Sequence, residues 1–184
     1  MRVLDIVECT TVDGPGFRTS IYVAGCHHHC PGCHNPQSWD AGGGEEMGVE
    51  DILAIVRRDP FAGVTLSGGD PMFQAEECVS LCRRIREVTD KSLWCYTGFT
   101  WEEIHSRGSR AMVELAEMVD VLVDGRFVET LRDTDLLFRG SANQRLIDVH
   151  RTLETGFVCL WQRDCCLFSW FYAFHHALLS HCGG

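Results

Sequence analysis

The apolar positions of this chain fall into short blocks separated by turn residues. Residues 17–25, Phe-Arg-Thr-Ser-Ile-Tyr-Val-Ala-Gly, are β-branched and aromatic and end on Gly25, which predicts a strand. Val49, Ile52, Leu53 and Val56 recur at i, i+3, i+4 and i+7, the stripe of an amphipathic helix, and Asp59-Pro60 stops it. Gly63-Val64-Thr65-Leu66 predicts a second strand that opens into Ser67-Gly68-Gly69-Asp70-Pro71. Cys78, Leu81, Cys82, Ile85 and Val88 stripe a helix running from Gln74 to Val88. Ser92 to Tyr96 predicts a third strand, broken by Thr97-Gly98. Trp101 to Ser106 reads as a short helix, with Thr100 as N-cap and Glu103 three residues on. Ala111 to Met118 is another helix, and Val119 to Val123 a fourth strand ending at Asp124-Gly125.

Strands and helices therefore alternate three times. That pattern predicts an α/β fold of parallel βα units with right-handed crossovers and a helix-covered sheet. In such folds the chemistry collects at the C-terminal ends of the strands. Three features occupy that position: a cysteine loop after the first strand, Gly68-Gly69-Asp70 after the second, and Thr97-Gly98 after the third. They are expected on one rim.

Composition narrows the class. The chain has 184 residues, enough for one domain with its own core. It is 45% hydrophobic and 23% charged, which excludes global disorder. Twenty-six acidic against 16 basic side chains leave a net charge of −10. That balance argues against a nucleic-acid or anionic-membrane binder. The 11 cysteines are an odd count, and Met-Arg-Val-Leu-Asp-Ile-Val-Glu lacks the apolar core of a secretory signal. Both point to reduced thiols and a cytoplasmic location. Residues 1–164 read as the functional domain. Residues 165–184 read as an apolar Cys/aromatic tail without Asp, Glu, Lys or Arg, interrupted by His175-His176. The tail's apolar run falls short of the roughly 20 residues of a membrane span.

Cys26-His27-His28-His29-Cys30-Pro31-Gly32-Cys33 is a C-x3-C-x2-C cluster. Three thiolates at this spacing can hold a four-iron cluster with one iron left open to a ligand. Two other readings stand beside it. A Cys3His zinc site could draw on His27, His28, His29 or His34. Cys30 and Cys33 could form a thiol-redox C-x-x-C. Zinc leaves the strand-end glycines unexplained, and Pro31-Gly32 does not promise the helix that a redox motif starts. Ser67-Gly68-Gly69-Asp70-Pro71 exposes main chain to which a ligand ammonium can bond. Alone it is an ordinary turn; beside the cysteines it reads as a small-molecule site. Cys78, Cys82 and Cys95 read as core residues. Cys9, Cys159, Cys165, Cys166 and Cys182 are given no role.

Taken together, Asp13-Gly14-Pro15-Gly16-Phe17-Arg18-Thr19, the Cys26–Cys33 spacing and Gly68-Gly69-Asp70-Pro71 resemble the radical S-adenosylmethionine enzymes that activate glycyl-radical enzymes. Further stretches resemble the branch serving the anaerobic (class III) ribonucleoside-triphosphate reductase. They are Cys30 to Asn35, Val121 to Phe127, and Phe138 to Arg145. The resemblance spans residues 1–163; the tail has no counterpart in it, and Gly32 stands where many radical enzymes carry an aromatic residue.

The resemblance implies a partial (β/α) barrel of the radical S-adenosylmethionine type with parallel strands. It implies that Cys26, Cys30 and Cys33 hold a 4Fe–4S cluster and that S-adenosyl-L-methionine binds the open iron. Gly68, Gly69 and Asp70 would take the ammonium, and Gly32, Cys33 and His34 would line the adenosyl side. Asp13, Arg18 and Asp124 become candidate contacts to the partner or to S-adenosylmethionine. The implied partners are the glycyl-radical subunit of the reductase and a low-potential electron donor such as flavodoxin or ferredoxin. No nucleic acid and no membrane is implied. The radical chemistry is borne by the cofactor, so no side chain is assigned as acid or base. Two alternatives remain open at this point: an activase of a formate-lyase-like enzyme, and a non-catalytic zinc-binding module. Truncation after Asp164 is expected to leave cluster binding intact. Iron content of the shortened chain checks this, and lost folding would assign the tail to the core.

Overall fold

The computed structural model describes residues 1–163, so the 165–184 segment lies outside the described residues. In chain order the strands are β1 (Arg2–Thr10), β2 (Arg18–Val23), β3 (Glu45–Glu46), β4 (Gly63–Gly68), β5 (Leu93–Tyr96), β6 (Val121–Asp124) and β7 (Arg145–Asp148). The helices are α1 (Val49–Val56), α2 (Ala75–Val88), α3 (Trp101–Arg107), α4 (Arg110–Met118) and α5 (Val149–Thr155). Together the strands form one seven-stranded sheet in the order β3-β1-β2-β4-β5-β6-β7.

The four central strands β2, β4, β5 and β6 are parallel neighbours, joined by the predicted helical crossovers. Thr100 caps α3 in a reciprocal box with Glu103, as its spacing implies. The outer strands differ from expectation. β1 and β3 are antiparallel on one side, and β7 is antiparallel to β6 on the other. The sheet thus runs open from β3 to β7; of the expected partial barrel, the α/β class and the parallel central strands are found, within a mixed sheet that does not close. The chain returns from β6 to β7 through residues 125–144, which hold no α-helix to lay across the sheet, and pairs antiparallel to β6.

Successive residues of a strand face opposite sides of the sheet. On one side Ile21, Val23, Val64, Leu66, Leu93, Cys95, Leu122 and Ile147 are buried with Ile52, Val56, Leu81, Ile85, Ile104 and Leu115 of the helices. Cys78 and Cys82 belong to this core, as their stripe implies. The other side carries Arg18, Ser20 and Tyr22 of β2 beside Thr65 and Ser67 of β4 and Trp94 and Tyr96 of β5. It is polar near β2, and a smaller apolar cluster of Trp94, Val121, Val123 and Leu146 holds it near β6.

Arg18 anchors the lower end of this polar face and is 1% exposed. Its Nε donates to Thr65 Oγ1 at 2.6 Å, Nη1 to Ser92 Oγ at 3.0 Å and Nη2 to the Val64 carbonyl at 2.5 Å. The guanidinium lies 5.3 Å from the Trp94 ring centroid. Burial lowers its pKa to about 10. Thr65 Oγ1 in turn donates to the Asp13 carbonyl at 2.8 Å, so Arg18 ties the 13–16 loop to three strands. Lysine cannot reproduce this fork. Arg18→Lys is expected to lower the unfolding free energy by about 2 kcal/mol or more, read from urea denaturation.

Candidate functional site

Parallel neighbours bring the loops after β2, β4, β5 and β6 to one edge of the sheet. There they surround a cavity of about 670 Å³. Cys26, Cys30, Cys33 and His34 line it from the first loop, Gly68, Gly69 and Asp70 from the second, and Thr97 and Gly98 from the third. Gly125, Phe127, Gly140 and Gln144 form a further wall, and Asp13 and Tyr22 another. The three strand-end features therefore meet on one rim.

What draws them together is the carboxylate of Asp70, itself 1% exposed. Its Oδ1 caps the turn after β4 by accepting from the Met72 amide at 2.9 Å. Its Oδ2 accepts from the Gly98 amide at 2.9 Å and the Thr97 hydroxyl at 3.0 Å. The same oxygen stands 2.8 Å from His28 Nε2. A carboxylate this buried is tolerable only when its lone pairs are met. Meeting them here requires three separate loops.

The backbone repeats this arrangement. Gly69 N donates to the Val23 carbonyl at 2.7 Å, and Asp70 N to the Gly25 carbonyl at 2.9 Å. A Cβ on Gly69 would stand 2.3 Å from the Gly25 oxygen, so a side chain there forces the two loops apart. Asn35 Nδ2 and Ser38 Oγ both donate to the Gly68 carbonyl, at 3.2 and 3.1 Å. The glycine loop is thus built into the rim rather than laid over it.

Cys26 is buried, and Cys30 and Cys33 are half-buried. Burial pushes the Cys26 and Cys30 thiols up. Backbone amides oppose that: those of His28 and His29 at the Cys26 sulfur, and that of Phe127 at Cys30. The Asn35 amide lies 3.4 Å from the Cys33 sulfur. Amides aimed at sulfur stabilise thiolate charge and help set the potential of a bound iron–sulfur cluster. Among the described residues no three His, Cys, Asp or Glu side chains converge on a single-ion position. The thiols border a volume instead, and the donor set, three sulfurs with N–H groups directed at them, suits a multi-iron cluster.

The cavity's remaining walls are tied down in the same manner. Tyr22 donates its hydroxyl to Asp13 Oδ2 at 2.5 Å, and burial with that carboxylate raises the phenol's pKa. Gln144 Nε2 donates to the Gly125 carbonyl and its Oε1 accepts from the Gly140 amide, both at 2.9 Å.

Three residues expected at the site do not line the cavity. Arg18 is committed to the sheet interior, as described above. Asp124 is 1% exposed, accepting from the Trp101 amide at 2.8 Å and from both Nε and Nη2 of Arg145. Gly32 faces away, and a Cβ on it would meet the Glu129 carboxylate. Conversely, Tyr22, Asn35, Phe127 and Gln144 line the cavity without having been assigned a role there, as does His28, which was weighed only as a zinc ligand. The period-2 alternation of β2 puts Tyr22 on the face of Arg18 and could have found it. No spacing marks the others.

The comparisons with known proteins agree with this architecture. The 4Fe–4S single cluster domain family matches residues 12–147, a span that holds the three cysteines and the Gly68–Asp70 loop. Fold and match define the class, an α/β protein with a single-cluster iron–sulfur domain. Relatives named anaerobic ribonucleoside-triphosphate reductase-activating protein include that of Escherichia coli K12, 37% identical over 141 residues, 72% of this chain and 89% of the relative. The Salmonella typhimurium LT2 protein is 37% identical over 152 residues, 78% of this chain and 96% of the relative. That of Enterobacteria phage T4 is 35% identical over 147 residues, 77% and 90%. The chain belongs to the family of anaerobic ribonucleoside-triphosphate reductase-activating proteins.

Gly69→Ala tests the rim directly. It is expected to lower the melting temperature by several degrees, a loss on the order of 1–3 kcal/mol, read by calorimetry. An unchanged transition would mean that the two loops need not touch.

Proposed function

We propose that this chain is a radical S-adenosylmethionine activase that generates a glycyl radical on an anaerobic ribonucleoside-triphosphate reductase. The observation that carries the reading is that Cys26, Cys30 and Cys33 share one cavity with Gly68, Gly69 and Asp70. The names of the relatives supply the partner.

In this reading the three cysteines hold a 4Fe–4S cluster, with the fourth iron free for the amino and carboxylate groups of S-adenosylmethionine. When bound, the cluster would supply low-potential electron transfer for reductive cleavage of S-adenosylmethionine, the chemistry by which a glycine of the reductase would lose a hydrogen atom. The protein's part is to orient the reactants and exclude water. Both Asp70 oxygens are already engaged, so the carboxylate acts chiefly by holding the rim. The cofactor's ammonium then falls to the main-chain oxygens of Gly69 and Asp70, the Gly68 carbonyl already accepting from Asn35 and Ser38. Cys33 and His34 border the adenosyl side. Asp13, held by Tyr22 on the cavity wall, remains the candidate contact for the partner's glycine segment. Arg18 and Asp124 support the fold and are not proposed as contacts. No side chain is needed as acid or base.

The electron donor belongs to the flavodoxin or ferredoxin class, and residues 1–164 suffice for the reaction. The location is the cytoplasm. Among the described residues no helix is long and apolar enough to cross a membrane.

Anaerobic reconstitution with iron and sulfide is expected to give a brown protein with about four irons per chain. Reductant, S-adenosylmethionine and the reductase should then give a glycyl-radical doublet by electron paramagnetic resonance. Cys30→Ala should abolish both colour and radical. A colourless protein holding one zinc per chain sinks the proposal.

A further inference from the structure

Three consecutive histidines separate Cys26 from Cys30. His27 and His29 are exposed, whereas the His28 side chain is 4% exposed. The ring of His28 stands edge-on to Phe99, with centroids 4.5 Å apart, and tilted against Phe73 at 5.6 Å. Gly98 leaves the slot that the ring occupies, since a Cβ there would lie 2.3 Å from His28 Cδ2. At the end of that slot Nε2 meets Asp70 Oδ2 at 2.8 Å. The backbone amide of His28 faces the sulfur of Cys26. A residue of the cysteine loop therefore reaches the glycine loop with its side chain.

A histidine whose only duty was packing would not need this geometry. Phe73 and Phe99 already touch one another, with ring centroids 5.5 Å apart. The imidazole adds a directional hydrogen bond between two loops whose spacing sets how a ligand spans them.

We propose that His28 is a positioning residue that, acting through Asp70, fixes the cysteine loop against the Gly68–Asp70 loop and thereby sets the affinity for S-adenosylmethionine. The proposal rests on the reading of the cavity given under Proposed function. His28 does not hold the cluster, so its loss should separate cofactor affinity from iron content. The functional group that matters is an N–H at the position of Nε2. Glutamine can offer its amide there, whereas asparagine falls short and alanine offers none.

The test uses the full chain, anaerobically reconstituted and reduced, with S-adenosylmethionine titrated against the electron paramagnetic resonance signal of the cluster. Iron and sulfide are measured on the same samples. His28→Ala is expected to keep the parent's iron content while the half-saturating concentration rises about tenfold. His28→Gln should stay within about threefold of the parent. In an Asp70→Asn background, His28→Ala should add less than about twofold, because the two residues act as one unit. Should the alanine variant not fold, His28→Asn carries the same expectation. Iron-replete His28→Ala or His28→Asn titrating within about twofold of the parent overturns the proposal. So does a loss of affinity that only tracks lost iron, which would make His28 a support of the cluster loop alone. If the parent's cluster signal does not respond to S-adenosylmethionine, the cofactor reading itself fails. That result is visible in the parent before any variant is compared.

Discussion

A buried carboxylate must find donors for its lone pairs, and at Asp70 that requirement organises the upper edge of the molecule. The donors are Met72, His28, Thr97 and Gly98. They belong to the loops that follow β2, β4 and β5, which parallel pairing sets side by side. Parallel strands alone bring loops to the same edge but leave their relative heights loose. Asp70 removes that freedom. The close approach of Gly69 to the Gly25 carbonyl, possible only without a Cβ, does the same at the level of the main chain. The cysteines inherit their positions from this arrangement, since Gly25 and His28 flank Cys26.

The two faces of the sheet serve different ends. One is apolar and sealed by helices, with Cys78, Cys82 and Cys95 as small core residues. Burial pushes those thiols well up, so they stay protonated and inert. The other face runs from a buried guanidinium, Arg18, through Thr65 and Asp13 to Tyr22 at the cavity wall. That chain supports the site from below. It also explains why a polar series can sit in the middle of a sheet: nearly every member is satisfied. Among the described residues only Ser20 Oγ is buried without a partner.

The central strands and helices were legible because each carries its own period. β2, β4, β5 and β6 follow the predicted blocks closely, as do α1 to α4. β1 was not legible: of its nine residues four are exposed, four are half-buried and Val3 alone is buried, so no face alternation announces it. Its shape comes from pairing with β2 across two register shifts. β7 and α5 match β5, β6 and α3 in length, but their runs, Arg-Leu-Ile-Asp and Val-His-Arg-Thr-Leu-Glu-Thr, form no apolar block that announces them. At the site, Cys26, Cys30, Cys33, Gly68, Gly69 and Asp70 were legible because metal-ligand spacing and turn glycines are local patterns. His28 was weighed only as a zinc ligand, and its engagement with Asp70 lies 42 residues away in the chain.

The sequence by itself determined the α/β class, the parallel centre and the cysteines and strand-end glycines that border the cavity. Each depends on spacings within about a dozen residues, where periodicity and ligand geometry are strong. Only the tertiary structure decided that the outer strands of the sheet are antiparallel. It also decided that Arg18 and Asp124 turn inward and that Asp70 is consumed by its neighbours. Those outcomes depend on which strand lies next to which and in what register. A side chain's partner is then chosen by burial and hydrogen-bond demand between segments, and no local pattern encodes that choice.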